Sequence, residues 1–349
     1  MRTIVASAPA KVILLGGKGV NWGFPALVAA VGMRTTCRVG VGAGEYRLRY
    51  GERVESTDRQ SLADFKTRIE ELRAGKRYEE ITAIARQDFF APVRHVLSHI
   101  VERTGVSGLE ISWESEIPVG SGLGSGAAAA ASLAAAAFAA AGVNPEPRDL
   151  AWVAWQADVI AHGGMGTGLD SGACALGGIV RYSLEDGPRQ VQAGGSLSLV
   201  IGDTLLRAST ATSNASSRNW LADHPMRFHL LQEMGMLVEQ AQRAIESGDL
   251  PTLGHLLNLN QLIKEKLGMS LQRIEELIEA SLGAGALGAK ISGKGGGGII
   301  VALAELGREQ AVARAIEAAG GKAIVPAVGV PGARIESDTD DTQPGKAGA

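Results

Sequence analysis

Residues 118–141 constrain the fold more than any other stretch. Pro118-Val-Gly-Ser-Gly-Leu-Gly-Ser-Gly126 runs directly into Ala127–Ala141, which is almost entirely alanine apart from Ser132, Leu133 and Phe138. The alanine run is too short and too weakly hydrophobic to cross a bilayer. Alanine is the strongest helix former, and a helix of such small side chains can approach a neighbouring backbone closely, so the run predicts a buried helix against a sheet. Gly108–Glu116 precedes it and alternates apolar and polar residues through Leu109, Ile111 and Trp113, which predicts a strand. The segment is therefore strand, glycine loop, helix.

A helix N-terminus presents unpaired backbone N–H groups and the positive end of its dipole, which suits a phosphate. Gly120, Gly122 and Gly124 would let backbone reach phosphate oxygens with no Cβ in the way. Ser125 could serve the phosphate or Mg²⁺. No Gly-Lys-Ser/Thr ends the loop, so it is not a P-loop, and no acidic residue follows at the spacing a dinucleotide-binding strand requires. A tight turn before an alanine helix is the bland alternative. Glycine, 47 residues in all, also clusters at 16–23, 163–178 and 283–298, against 4% aromatics. Four clusters beside apolar runs mark places where backbone approaches something closely.

The 349 residues suffice for two domains, and 45% hydrophobic with 20% charged residues allows a substantial core. A net charge of −3 without a basic block argues against nucleic acid as a principal ligand. Cys37 and Cys174 lie far apart, which excludes a disulfide framework and a cysteine zinc site and leaves two small buried residues. The opening residues lack a basic segment followed by a long apolar one, so no signal peptide and no membrane span are expected, and the cytoplasm is the expected compartment.

Strands are read at Ile4–Leu15, within Pro25–Val31 and Thr35–Val41, and at Gly177–Tyr182; Phe90–Val101 and 148–162 read as helices. Beyond about 184 the texture changes to helices at 226–247, 251–267 and 269–282, strands at Ala289–Ser292 and Ile299–Leu303, and a helix at Arg308–Ala319. Strands and helices mix without a βαβ rhythm, which predicts an α+β fold. The expected units are 1–185 and 186–335, with 336–349 a polar, disordered tail.

Two further constellations carry chemistry: His162-Gly-Gly-Met-Gly-Thr-Gly-Leu-Asp170, with Asp158 twelve residues before that aspartate, and Gly293-Lys294-Gly-Gly-Gly-Gly298 between two apolar strands. Alone, Asp170 reads as a turn residue, Asp158 as a solvated carboxylate and the last run as a hairpin loop. Together with Pro9-Ala-Lys11-Val-Ile-Leu-Leu-Gly16 and Pro118–Ala128, in this order from about Ala8 to Ala304, they resemble the GHMP kinase family. Val12-Ile-Leu, Gly-Leu-Asp170 and Gly177-Gly178 look most like its mevalonate kinase branch.

The resemblance implies a two-domain kinase with its site in the cleft between domains, using ATP and Mg²⁺ on a small-molecule hydroxyl. It gives Asp170 the acceptor proton and sets Lys11 beside Asp170 and the transferring phosphoryl group. ATP would lie on Pro118, Gly120, Ser121, Gly122, Leu123, Gly124, Ser125 and Gly126, with Ser125 and Asp158 on the metal. Arg207 or Thr210 would touch the acceptor carboxylate, in the segment running from Gly202 to Ser213. The chain departs from the family pattern at Lys18, where Gly-Glu-His is usual, at Gly126 in place of a second serine, at Lys294 in place of alanine, and by one extra residue between His162 and Asp170. Lys18 and Lys294 would add local positive charge. They would meet an acceptor phosphate, or Lys294 the nucleotide phosphates and Lys18 the mevalonate carboxylate, or both would face solvent. Mevalonate is the first expected acceptor. A phosphomevalonate kinase, a decarboxylase of the same superfamily and a non-catalytic ATP-binding protein are the alternatives. Family members are often homodimers, but no unpaired apolar stripe in the chain argues for one. His95 and His99, a helical turn apart with no third ligand, read as structural or surface residues, and His162 as a helix C-terminal residue.

Overall fold

The structure is a computed structural model that describes residues 2–42, 44–206, 224–293 and 295–340. Two antiparallel strands form its backbone, β1 (Arg2–Leu15) and β2 (Ala26–Val41), paired along most of their length. The two apolar runs read separately at 25–31 and 35–41 are one strand, carried through Gly32-Met33-Arg34. The pairing with β1 shifts register opposite this point, between Pro9 and Ala10. A Cβ on Gly32 would stand 3.2 Å from Ala327 Cβ, so glycine leaves room for a crossing segment.

The first sheet runs β12 (Arg334–Asp340), β1, β2, β5 (Leu109–Ser115), β3 (Tyr46–Tyr50), β4 (Arg53–Thr57); β6 (Ile179–Ser183) pairs with the far part of β2, and β7 (Gly187–Val191) with β6. Against this sheet lies α4 (Ser125–Ala140), twelve of whose sixteen residues are buried, as the alanine run predicts. Trp113 of β5 donates its indole N–H to the Ala129 carbonyl at 3.2 Å. Helices α3 (Ala91–Thr104) and α5 (Pro147–Ala161) flank α4.

The second sheet has order β11 (Lys322–Ile324), β8 (Ser198–Asp203), β10 (Ile299–Ala304), β9 (Ala286–Ser292). Helices α9 (Gln272–Gly283) and α10 (Glu309–Ala318) cover one face through Ile274, Leu277, Val312 and Ile316. On the other face, α7 (Met226–Ser247) and α8 (Leu250–Lys266) join Leu199, Ile201, Val301 and Leu303 to the core that also contains β1, β2 and α4. One apolar core thus runs through both sheets.

The passage between sheets lies at 192–197, after β7 and before β8. The disordered tail expected over 336–349 is corrected for 336–340, since 334–340 pairs antiparallel with β1 from Arg2 to Ser7, and 341–349 lie outside the described residues. This strand is exposed along its length, so burial placed no apolar demand on it and its polar sequence read as a tail. Among the described residues, no helix is long and apolar enough to cross a membrane.

Candidate active site

Lys11 sits in the middle of β1, where Ala8, Ala10 and Val12 are fully buried, and is itself only 3% exposed. Its backbone N–H donates to the Leu123 carbonyl at 2.9 Å, which docks the glycine loop on the strand. The side chain then passes over Gly124: a Cβ there would meet Lys11 Cγ and Cε at 2.9 Å. Gly124, with φ of 81°, is also the N-cap of α4, and no side chain caps the helix there. Gly120 and Gly122 are likewise left-handed, with φ of 75° and 91°. The first N–H groups of α4 and the Ser125 hydroxyl consequently border an open cleft, and a Cβ on Gly126 would meet nothing within 4 Å. Ser121 plays another part: its hydroxyl donates to the Pro118 carbonyl at 2.7 Å and shapes the loop from within.

Lys11 Nζ lies 2.9 Å from Asp170 Oδ1. Asp170 stands in the first turn of α6 (Leu169–Leu176), whose N-cap is left-handed Gly168. The loop that returns from α5 to α6 is held by the Trp155 indole, which donates to the Gly166 carbonyl at 2.7 Å. Gly166 must be glycine, since a Cβ would stand 2.3 Å from the Asp158 carbonyl oxygen. Asp158, in the last turn of α5, is buried, and its Oδ2 accepts from the Ser171 hydroxyl at 2.9 Å and from the Ser171 N–H at 3.3 Å. Burial first, and the neighbouring Asp170 charge second, push the Asp158 carboxyl up to about 7, with Lys11 and the Ser171 bonds pulling the other way.

Lys11, Asp158, Asp170, Ser125 and the 120–126 loop line a cleft of about 380 Å³ together with Lys18, Asn21, His162, Thr167, Ser292, Gly293, Gly295, Gly297 and Gly298. Lys18 begins a short 3-10 turn, Lys18–Trp22, with its Nζ over the Trp22 ring at 5.6 Å from the centroid. A larger recess of about 650 Å³ lies behind β7 and 325–329, but Glu309 is the one charged residue among its described lining. Lys11, Lys18, Asp158 and Asp170 all lie on the smaller cleft.

The two glycine loops meet across it. A Cβ on Gly298 would be 3.1 Å from the Ser121 carbonyl oxygen. Thr204 donates both its N–H, at 2.9 Å, and its hydroxyl, at 2.7 Å, to the Gly298 carbonyl. Ser292 Oγ accepts from the Ile13 N–H at 2.9 Å, and Lys290 Nζ donates to the Ile13 carbonyl at 3.1 Å, so β9 grips β1 two residues beyond Lys11.

The structure therefore brings Lys11, Lys18, Asp158, Asp170, Ser125 and the 120–126 loop together. Arg207, Thr210, Ser213 and Lys294 lie outside the described residues. His95 and His99 are structural: both are buried in α3, His95 Nδ1–H donates to the Gln156 carbonyl at 3.0 Å, and burial drops them to about 4 and about 3. His162 caps the C-terminus of α5, and both cysteines are buried. Sequence reasoning missed Lys264, and it gave no role to Ser171, Ser292 and Lys290, which lie within or beside the motifs. In α8 a signal existed, because Leu253, Leu256 and Leu257 continue at helical spacing into buried Asn260, Gln261 and Lys264.

Residues 91–178 match the family described as GHMP kinases N terminal domain, and 241–322 match GHMP kinases C terminal. The mevalonate kinase of Pyrococcus abyssi is 32% identical over 345 residues, covering 96% of this chain and 98% of that one. The chain is a GHMP kinase. Solved GHMP kinase structures share its fold. That of L. major mevalonate kinase in complex with R-mevalonate superposes with a TM-score of 0.70 at 24% identity, covering 93% of this chain and 95% of its own. Lactococcus lactis galactokinase complexed with galactose gives 0.72 at 17%, with 95% of each chain covered. Fold likeness thus spans different acceptors, and the acceptor of this GHMP kinase must be argued from its site and its full-length relatives.

Proposed function

We propose that this GHMP kinase transfers the γ-phosphoryl group of ATP to the hydroxyl of mevalonate. The Lys11–Asp170 pair beside the uncapped N-terminus of α4 carries the reading. It stands in a chain that aligns almost end to end with a curated mevalonate kinase. Asp170 accepts the hydroxyl proton as the oxygen attacks, and Lys11 offers positive charge to the oxygens between which charge is redistributed. The triphosphate lies along Gly120–Gly126 and the N–H groups opening α4, where backbone dipoles oppose its charge without reorganisation. Lys18, which also lines the cleft, pairs with the acceptor carboxylate.

The cleft also fits Mg²⁺. Asp158, Asp170 and the Ser125 hydroxyl offer oxygen donors suited to a hard cation. Burial first and the Asp170 charge second push the Asp158 carboxyl up to about 7 despite Lys11, and a bound cation would favour its ionised form. Mg²⁺ bound with the nucleotide neutralises triphosphate charge. Asp158 and Ser125 would hold it, while Ser171 keeps Asp158 oriented. With ATP as donor, the cytoplasm is the compartment this reading calls for.

The test is ADP release from MgATP with mevalonate, phosphomevalonate, homoserine and galactose offered separately. Turnover should be confined to mevalonate, and a stronger response to phosphomevalonate would overturn the acceptor assignment.

A further inference from the structure

Lys264 is, with Lys290, one of two fully buried lysines near the cleft that the chemistry above leaves unused. It is 0% exposed, on the face of α8 that packs on β9. Its Nζ donates to the Gly293 carbonyl at 2.8 Å and to the Ile291 carbonyl at 3.3 Å. The partners are two backbone oxygens at the point where β9 ends and the 293–298 loop begins. The far end of that loop is tied by Thr204 to the Gly298 carbonyl and by the Gly298 N–H to the Leu206 carbonyl at 2.8 Å. In between, Gly295, Gly296, Gly297 and Gly298 all have positive φ, a run with almost no side chains to hold its shape. A loop of this composition keeps one conformation only if its ends are fixed, and Lys264 fixes the end nearest β1.

We propose that Lys264 is a positioning residue for nucleotide binding, holding the 293–298 loop against the 120–126 loop so that both backbones meet the phosphates. The inference rests on the kinase reading above. It assigns to a buried lysine a role made through the loop, with no contact to substrate. The charges acting on Lys264 are Lys11 of β1 and Lys18 of the first glycine turn, and Lys290 of β9 lies beside it. Burial holds Lys290 well below the usual lysine range as well. Burial first, then the charges of Lys11 and Lys18, bring the Lys264 ammonium down to about 7, and a neutral amine has the two N–H donors that its two carbonyl partners require. Nucleotide phosphates entering the cleft offset the field of Lys11 and Lys18, so the bound complex favours a proton on Lys264. Binding of MgATP above pH 7 then draws a proton from solution, and affinity falls as pH rises from about 7.

The experiment is titration calorimetry of MgATP into the full chain, above pH 7, in two buffers of different ionisation heat. It is performed on wild type and on Lys264→Met, which keeps the length of the side chain and removes its donors. Asp158 gives up its proton to the bound cation in both proteins, so the difference is read: the variant should take up fewer protons than wild type. The variant should bind MgATP about five- to thirtyfold more weakly, the loss expected for one or two hydrogen bonds, with little change in the KM for mevalonate. Equal affinity and equal proton uptake in a folded variant would overturn the proposal. Should Lys264→Met fail to fold, Lys264→Gln, whose amide does not titrate, is measured in its place, and proton uptake equal to that of wild type overturns the proposal. Wild-type turnover on mevalonate is measured alongside, so that failure of the acceptor assignment is seen separately from failure of the loop anchor.

Discussion

Lys11 and Asp170 meet because a strand and the first turn of a helix, far apart in sequence, end at one cleft. Lys11 was visible as a lysine interrupting an apolar strand, whereas Asp170 alone read as a turn residue. Their pairing was legible only through family resemblance. Ser171 was not, because its partner Asp158 lies on another helix and nothing local marks a serine as the orienting donor. Asp170→Asn should lower kcat about 10²- to 10⁴-fold, the range for losing a general base, while MgATP affinity measured by calorimetry stays close to wild type. Asp158→Asn should divide stability from activity. A carboxyl raised from 3.8 to about 7 on folding holds more protons folded than unfolded between those values, so stability falls as pH climbs through that window and stays reduced above it. Asparagine removes the penalty yet can still accept from Ser171. The melting midpoint of the ligand-free variant should exceed that of wild type above pH 7 and converge with it below about pH 4, while kcat with MgATP drops. A lower midpoint at high pH would show that the carboxylate stabilises the fold.

The elements most visible in sequence are those whose own composition enforces them. The alanine run had to be a buried helix, and the glycines before it had to be a loop, because only glycine adopts φ of 75–91° at low cost. β12 was illegible for the opposite reason. An exposed edge strand needs no apolar alternation, and Glu336-Ser-Asp-Thr-Asp340 gives no sign that β1 has an edge waiting for it. The same element logic governs substitutions in the loops. At Gly166 an added Cβ would meet main chain of α5, which cannot swing away, whereas at Gly124 it would meet the flexible Lys11 side chain. Gly166→Ala should therefore destabilise more than Gly124→Ala in urea titration. Gly124→Ala should still cost about 1–2 kcal/mol from its left-handed backbone alone, and should reduce kcat by displacing Lys11.

For the whole molecule, the α+β class and the motif order were readable, but the union of the two sheets was not. β9 grips the main chain of β1 at Ile13, and Leu199, Ile201, Val301 and Leu303 share one core with β1 and β2. These contacts join residues from opposite ends of the chain, where spacing carries no information. Their consequence is cooperativity: chemical denaturation of the ligand-free enzyme should follow one transition, with fluorescence and circular dichroism coincident. Two separated transitions would mean that the sheets unfold independently. The central claim is the reaction itself. Purified enzyme with MgATP and R-mevalonate, followed for ADP and for the phosphorylated product, should show saturable turnover with no carbon dioxide released, abolished in Asp170→Asn. Turnover confined to phosphomevalonate, release of carbon dioxide, or full activity in Asp170→Asn would contradict it.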